Sequence, residues 1–433
     1  MVVGEGRRRG DGTVRSVPEA ESASSQWTRP VVGLLLSVFC SSAAVMAGIT
    51  ALGKQVFDAT GEELALGVLG LVEFLPAALL VLVTGTVADR FERRRIVTAA
   101  FVGEGLFAVG LALYAASGGL RVAPIYLLVL GFGTCRAFGA PAIRSMPADI
   151  VPPERMPWLV ARFSIMWQLA AVAGPVAGGF LYALSPTAPY VLMAGLFGVG
   201  AVAINLVGRP VTSRYAETVS PPPRPTRLAD AVEGLRFIRR HPVVLGAISL
   251  DLFAVLFGGA LALLPAIAED RLGVGAVGLG WLRAAVGIGA GLTTLALARA
   301  PVRRRIGRTL LGAVVVFGLG TIVLGLTTSF AVAFAALLVA SGADAVSVYI
   351  RATLVPLATP TAVRGRVVAV ENVFIGASNE LGAFESGVAG QLLGAPAAIG
   401  LGGVATILVA GIWWTIFPAL RDLDDFPAAT DAV

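Results

Sequence analysis

Lysine, histidine and cysteine are nearly missing from this chain. Among 433 residues Lys54 is the only lysine, His241 the only histidine, and the cysteines are two, Cys40 and Cys135, both inside apolar runs. No zinc cluster, haem attachment pattern or disulfide framework can be assembled from that set, so neither a metal nor a cofactor is expected. No nucleophile has a histidine partner, and no enzymatic role is expected. Charge is scarce as well: 14% of residues are charged and 56% are hydrophobic, with a mean hydropathy of +0.83. That balance excludes disorder and a water-soluble enzyme. Gly48 to Gln55 nearly spells a phosphate-binding loop, but Gln55 stands where the metal-binding hydroxyl belongs and the segment lies in an apolar run without a preceding strand. ATP is therefore not the expected energy source.

What the chain does have is runs of about 20 apolar residues, each long enough to span a bilayer. In hydrocarbon every backbone amide must be paired within its own segment, so each run is read as a helix. Twelve are expected, over 31–53, 64–87, 96–116, 124–146, 158–183, 189–208, 243–266, 275–298, 308–327, 330–352, 366–392 and 396–418. The fold class is all-α integral membrane, with the helices in two six-helix halves.

Arginine sets the expected orientation, because cationic loops are disfavoured in translocation. Arg90, Arg93, Arg94 and Arg95, then Arg209 to Arg240, Arg299 to Arg308, and Arg364 with Arg366 fall in alternate loops, while the opposite loops hold only Lys54, Arg121 and Arg271. The first set is placed in the cytoplasm together with both termini, in an inner or plasma membrane. The net charge of +6 is then a topology signal rather than a nucleic-acid footprint, and no nucleic-acid partner is expected. Residues 1–29 read as a short disordered cytoplasmic tail and not as a cleavable signal peptide, the first apolar run being too long and lacking a small-residue cleavage site. A bundle over 30–208, a cytoplasmic linker over 209–242, a second bundle over 243–420 and a tail over 421–433 complete the expected organisation. Within the linker, Leu228, Ala231, Val232, Leu235 and Ile238 recur at helical spacing with Arg236, Arg239 and Arg240 opposite, the pattern of an amphipathic helix on the membrane face. His241 after it is read either as a structural residue or as a pH sensor.

The halves resemble each other at a spacing of about 210 residues. Arg93-Arg94-Arg95-Ile96 matches Arg303-Arg304-Arg305-Ile306, Ile143-Arg144 matches Ile350-Arg351, and Val176-Ala177-Gly178 matches Val388-Ala389-Gly390. A duplicated bundle packs about an axis along the membrane normal and leaves a cavity between its halves, and rocking them gives alternating access.

Gly85-Thr86-Val87-Ala88-Asp89-Arg90-Phe91-Glu92-Arg93-Arg94, between the second and third spans, resembles the loop motif of the major facilitator superfamily. The resemblance covers essentially the whole transmembrane chain and implies a twelve-helix secondary transporter. It also implies a conformational latch at Gly85, Asp89, Arg90, Arg93 and Arg94, whose contact across the halves breaks when they rock; the alternative is an ordinary cationic loop. The family usually has Gly where Glu92 stands. In the fifth span Ala170, Gly174, Pro175, Gly178 and Gly179 are similar to the family's antiporter motif, with Ala170 replacing the first Gly, which implies an exporter of drugs or metabolites. Three segments, Glu233 to Pro242, Asp251 to Gly259 and Asn379 to Glu385, look like the branch that includes enterobactin-type siderophore exporters.

A charge at the bilayer centre costs about 2.5–3.5 kcal/mol on insertion scales, so intramembrane ionisable groups are functional candidates. Proton coupling is assigned to Asp251 or Glu73 with Arg136 and Arg283 as alternating partners, static ion pairs being the alternative. Arg136 weakly resembles the family's buried Arg that assists proton transfer. Arg136 and Asp344 occupy near-equivalent places in the repeat. In the eleventh span Glu371, Ser378 and Glu385 recur every seven residues, as do Asn372, Asn379 and Ser386, making one broad polar face with Glu380 off its centre. Asp344, Glu371, Asn372, Asn379, Glu380 and Glu385 are expected to wall the substrate cavity, against an interhelical hydrogen-bond seam. Phe39, Phe253, Phe257 and Trp167 are read as pocket or packing residues. Glu104, on the peripheral third span, has no role in this scheme. The expected function is export of a small organic molecule by proton antiport, with small-molecule substrate, protons and lipid as partners and a monomer without an obligatory protein partner. Uptake is the alternative, and a membrane enzyme or receptor-like scaffold a distant one.

Overall fold

The computed structural model describes residues 27–208 and 228–427, with the side chains at 81, 82, 85, 86, 88–90 and 228–230 outside that description. Residues 1–26 of the expected N-terminal tail, 428–433 of the expected C-terminal tail and the proline-rich part of the linker over 209–227 lie outside the described residues.

Among the described residues all regular structure is helical. Spans one to six are Arg29–Thr60, Glu63–Arg90, Arg93–Ala116, Val122–Ser145, Met156–Leu184 and Ala188–Asn205. Span seven is Pro242–Phe257, relayed through short turns to Ile267–Arg271, and spans eight to twelve are Gly275–Arg299, Ile306–Leu326, Phe330–Leu357, Thr361–Leu393 and Ala395–Ile416. Eleven of these helices are long and apolar enough to cross a membrane. The other, Thr361–Leu393, has 33 residues but carries Glu371, Asn372, Asn379, Glu380 and Glu385. It tolerates them because its neighbours in the bundle, rather than lipid, meet much of its surface.

Span one runs past its expected end at residue 53 because the polar residues there are satisfied within the protein. Lys54 is ion-paired with Asp58 one turn on, the Tyr190 hydroxyl donates to Gln55 Oε1 at 2.5 Å, and the Tyr182 hydroxyl donates to Asp58 Oδ2 at 2.9 Å. Span seven breaks early, at Gly258 and Gly259. A side chain on Gly259 would meet Gly382 backbone and the Ser386 hydroxyl within 2.8 Å, so span eleven packs directly on the break.

The packing repeats with a shift of six helices. Span one meets five and six, three meets four and six, and two meets four; likewise seven meets eleven and twelve, nine meets ten and twelve, and eight meets ten. Two further pairs, five with eight and two with eleven, join the halves and are exchanged by the same pseudo-twofold. Both are glycine seams. In span five, Cβ atoms at Gly174 and Gly178 would fall 2.7 Å from Met46 Cβ and 2.6 Å from the Ala47 carbonyl of span one, whereas one at Gly179 would fall 3.0 Å from Gly280 of span eight. Between spans two and eleven, Gly67 and Gly387 leave backbone on backbone. Small residues there let helices approach to van der Waals contact, which is what drives association where no hydrophobic effect acts between helices.

One buried core runs through the first half and continues across the seams into Leu263, Leu264, Ile267, Leu279 and Leu282 of the second. A separate core fills the remaining part of the second half, from Ile238, Val244 and Leu250 to Leu354 and Leu420. The shared core lies at the arginine-poor end of the second half and the separate one at its arginine-rich end. The helix expected in the linker is present as Leu228–Arg240. Ile238 anchors it in the second core, and Glu233 pairs with Arg366 of span eleven at 2.8 Å.

Candidate functional site

Intramembrane charges gather in two clusters. The first joins the halves. Arg136 Nη1 of span four stands 3.8 Å from Glu73 Oε1 of span two, beyond hydrogen-bond distance. Arg283 of span eight interacts electrostatically with Glu73, and Glu380 of span eleven with both Glu73 and Arg136. Close backbone approach makes this possible: a Cβ on Gly133 would lie 2.6 Å from the Glu73 carbonyl, and one on Gly70 would lie 3.3 Å from Glu380 Oε2. Neither Arg136 Nη1 nor Arg283 Nε has a hydrogen-bond partner, though both atoms are buried.

The second cluster lies within the second half. Arg351 Nη2 of span ten pairs with Asp251 Oδ1 of span seven at 2.7 Å, the side chains being 5% and 7% exposed, and Arg351 Nε donates to Ser347 Oγ at 3.4 Å. Asp344 and Glu371 both interact with this pair. Asp251 therefore takes Arg351 as its ion-pair partner, and neither Arg136 nor Arg283 was needed to neutralise it. Its repeat mate, Arg144, sits at the end of span four, so Arg351 reads in sequence as one more loop arginine.

The polar face of span eleven is divided. Glu371 and Ser378 are buried, while Asn372 and Asn379 are exposed, each donating only to a carbonyl of its own helix, Val368 at 3.0 Å and Ile375 at 2.8 Å. Buried and open residues are thus adjacent strips of one helix, with the half-buried Glu380 and Glu385 flanking them on opposite sides. Asn379 and Asp344 line a cleft with Ser341 and Thr321. A second cleft, in the first half, is lined by Ser41, Ser42, Glu104, Arg136, Arg144 and Trp167. Phe253 instead packs, 6.5 Å from Phe257 and 5.5 Å from Trp413.

The antiporter-motif residues serve two neighbours. Gly174 and Gly178 face span one, as above, while Pro175 and Gly179 face span eight: a Cβ on Gly280 would lie 2.6 Å from the Pro175 carbonyl. Proline also frees the carbonyl one turn earlier, that of Ala171, which lies 3.0 Å from where a Gly287 side chain would start. Gln168 adds a hydrogen bond to the Gly287 carbonyl.

Of the latch residues, Gly85, Asp89 and Arg90 fall where side chains lie outside the description. Arg93 donates to both Asp149 carboxylate oxygens at 2.8 and 2.9 Å, and Arg94 pairs with Glu92 at 3.0 Å; both contacts stay within the first half. Among the described residues, the ion pair that crosses between the halves is at the other end, where Lys54 Nζ lies 3.1 Å from Glu269 Oε2. Sequence reasoning counted Lys54 only as an exception to the charge rule, and its uniqueness among lysines was the signal available.

Three comparisons bear on the arrangement. Residues 34–383 match the family model for the Major Facilitator Superfamily. The enterobactin exporter EntS of Escherichia coli (strain K12) is 25% identical over 351 residues, covering 81% of this chain and 83% of that one. Among solved structures, a POT family transporter in complex with 5-aminolevulinic acid superposes with a TM-score of 0.70 at 12% identity, covering 91% of this chain and 97% of that one. A bacterial homologue of the human lysosomal transporter Spinster, in an inward-facing and unoccupied conformation, gives 0.62 at 17%, covering 92% and 97%. At those identities the structural likeness speaks for the fold alone. Two six-helix halves related by a pseudo-twofold, joined by glycine seams and matched over most of their length by one family model, make this chain a multi-pass transporter of the Major Facilitator Superfamily.

Proposed function

We propose that the protein exports a small organic molecule, siderophore-like or drug-like, across the inner or plasma membrane in exchange for protons, by alternating access between its halves. The observation that carries this reading is the distribution of core: the halves share one core at the arginine-poor end and have separate cores at the arginine-rich end of the second half. In this reading the arginine-rich loops are cytoplasmic, and Lys54–Glu269 with the two seams closes the outer end. Export rather than uptake is supported by Pro175 and Gly179 packing on span eight in the outer seam while Gly174 and Gly178 seat the same helix on span one, and by the similarity to an enterobactin exporter. Proton coupling is supported by the interior acids, above all Glu73, which stands beside Arg136 without a hydrogen bond to it, whereas Asp251 is held by Arg351. Asp344, Asn372, Asn379, Glu380 and Glu385 then offer a polar or cationic substrate its contacts.

Inverted membrane vesicles test this directly, with enterobactin as first probe and cationic dyes beside it. An imposed acid interior drives probe accumulation, and adding probe releases protons from the lumen. Probe entering without regard to the gradient, with no proton release, sinks antiport; accumulation only in right-side-out vesicles favours proton-linked uptake.

A further inference from the structure

Glu104 is an intramembrane acid that the proposed exchange leaves idle, and its surroundings give it a task. It sits on span three, 4% exposed, in a helix that Ala100, Phe101, Ala108 and Leu111 already bury well. An ionisable group there costs about 2.5–3.5 kcal/mol on insertion scales, a cost that packing does not require. Its carboxyl is not isolated. Glu104 and Arg136 line one cleft with Ser41, Ser42 and Trp167, and Arg136 is the cation that acts on it. Arg136 therefore lies between two carboxylates, those of Glu104 and Glu73, which no other described residue places together. It satisfies neither: the Glu73 pair is 3.8 Å long, Nη1 has no hydrogen-bond partner, and among the described residues Glu104 makes no ion pair.

We propose that Glu104 is the carboxyl of the first half that takes up and releases the transported proton, and that Arg136 moves between Glu104 and Glu73 as it does so. This rests on the antiport reading and adds the carrier to it. With a proton added to one Glu104 oxygen, the side chain is neutral and Arg136 is left to Glu73. When that proton leaves, the Glu104 carboxylate draws Arg136 away. Glu73 then loses its nearest cation, and the cluster linking it to Arg283 and Glu380 across the seam is rebalanced. Glu73 and Gly70 both lie on span two, and Gly70 receives Glu380, so the change reaches the contact that holds the halves together.

Other groups facing Glu104 are few. From span four come Cys135, whose sulfur lies against Gly103, and Arg144 at the cleft mouth. Span one brings the uncharged Ser41 and Ser42, span five Trp167. Span six, which also packs on span three, turns Ala194 and Phe197 toward that stretch, and neither titrates. Arg136 is thus the group that can answer a change of charge at Glu104.

Two measurements on the full chain decide it. In nanodiscs, infrared difference spectra between high and low pH show the C=O band of a protonated carboxyl; the band is lost in Glu104→Gln and shifted in Glu104→Asp. A Glu104→Gln spectrum carrying the wild-type band overturns the proposal, and the wild-type measurement keeps it testable if the variant is poorly made. In vesicles with enterobactin, the ratio of pH-driven accumulation to substrate counterflow falls roughly tenfold or more in Glu104→Gln, equivalent to about 1.4 kcal/mol of coupling, and recovers in part in Glu104→Asp. If Glu104→Gln keeps the wild-type ratio, the carrier is elsewhere and antiport stands. If the wild type itself moves no protons, antiport fails and this inference falls with it.

Discussion

The two charge clusters contain the same chemistry and differ in tightness. In the second half Asp251 and Arg351 meet at 2.7 Å with both side chains shielded; in the cluster that joins the halves, Glu73 and Arg136 of the first half stand at 3.8 Å with partial exposure, and one guanidinium nitrogen each of Arg136 and Arg283 lacks a partner. A buried pair at ideal distance has one good arrangement and holds helices in place. A loose cluster, shared among spans two, three, four, eight and eleven, has several arrangements of similar energy. The comparison assigns scaffold to one and switching to the other, and it can be broken by exchanging their mutational signatures.

The largest effect is expected from the tight pair. Asp251→Asn leaves the Arg351 guanidinium buried without its counter-charge, a change that costs about 3–5 kcal/mol. Thermal unfolding in detergent should show a strongly lowered Tm, and Asp251→Asn combined with Arg351→Gln should recover much of it, because removing both charges removes the uncompensated one. A single variant as stable as wild type would place Asp251 in the moving part instead. The converse holds for Glu73→Gln. Its pair is long and partly exposed, worth about 0–1 kcal/mol to stability, so Tm should barely change while pH-driven accumulation falls roughly tenfold or more, about 1.4 kcal/mol in coupling. A Glu73→Gln protein that unfolds early but still couples would reverse the assignment.

The next test compares the two ends of the molecule. Gly179→Val overpacks the seam against Gly280, and inserted methyl groups in a tight contact cost about 1–3 kcal/mol. That cost falls on the state closed at the arginine-poor end and not on the open one, so the population shifts toward opening there by roughly 5- to 150-fold. Lys54→Met should move it the same way by less, since Glu269 is half-exposed and solvent screens its charge. Labelling of a cysteine placed on the cavity wall, measured from the arginine-poor side, should rise in the order wild type, Lys54→Met, Gly179→Val. Unchanged labelling in both variants would mean the seams do not gate access.

These contrasts show what was legible in the residues. Helix number follows from hydropathy, and the correspondence of the halves from repeated residues such as Arg93 to Ile96 and Arg303 to Ile306. The ends of spans one and seven do not, because polar groups satisfied inside the protein extend the first and packing of span eleven on Gly259 breaks the other. Span eleven was readable even though its polarity takes it below what length and composition alone would admit. Seven-residue spacing of Glu371, Ser378 and Glu385 revealed a polar strip, but not that it splits into a buried and an open edge, because a drift of about 20° per heptad decides which side of a neighbour each residue meets. Glu73 and Arg136 were legible as charges without places in lipid. Arg351 was not, since a cation near a helix end satisfies the same charge rule whether it points to water or turns inward to an acid. The paired role of Glu104 and Arg136 depends on how spans three and four face each other, and pattern along one helix carries no information about facing.

The smallest expected effect concerns the linker helix, and it asks how far the rigid half extends. Phe237 and His241 stack with centroids 5.5 Å apart beside Ile238, which is embedded in the second core. Burial holds the His241 imidazole below its ordinary value, and its Nδ1 is buried without a partner. The folded protein therefore binds this proton less tightly than the unfolded chain does. The resulting stability is full above the unfolded value near 6.5 and is lost as pH falls through it, protonation pulling the helix end from its seat. Because His241 is the only histidine, the difference in Tm between wild type and His241→Gln isolates it. That difference should be constant above about pH 7 and should change by a degree or two toward pH 5, to the disadvantage of the wild type. A difference flat across the whole range would mean that the His241 end is not part of the tightly packed half, which would then stop at Ile238.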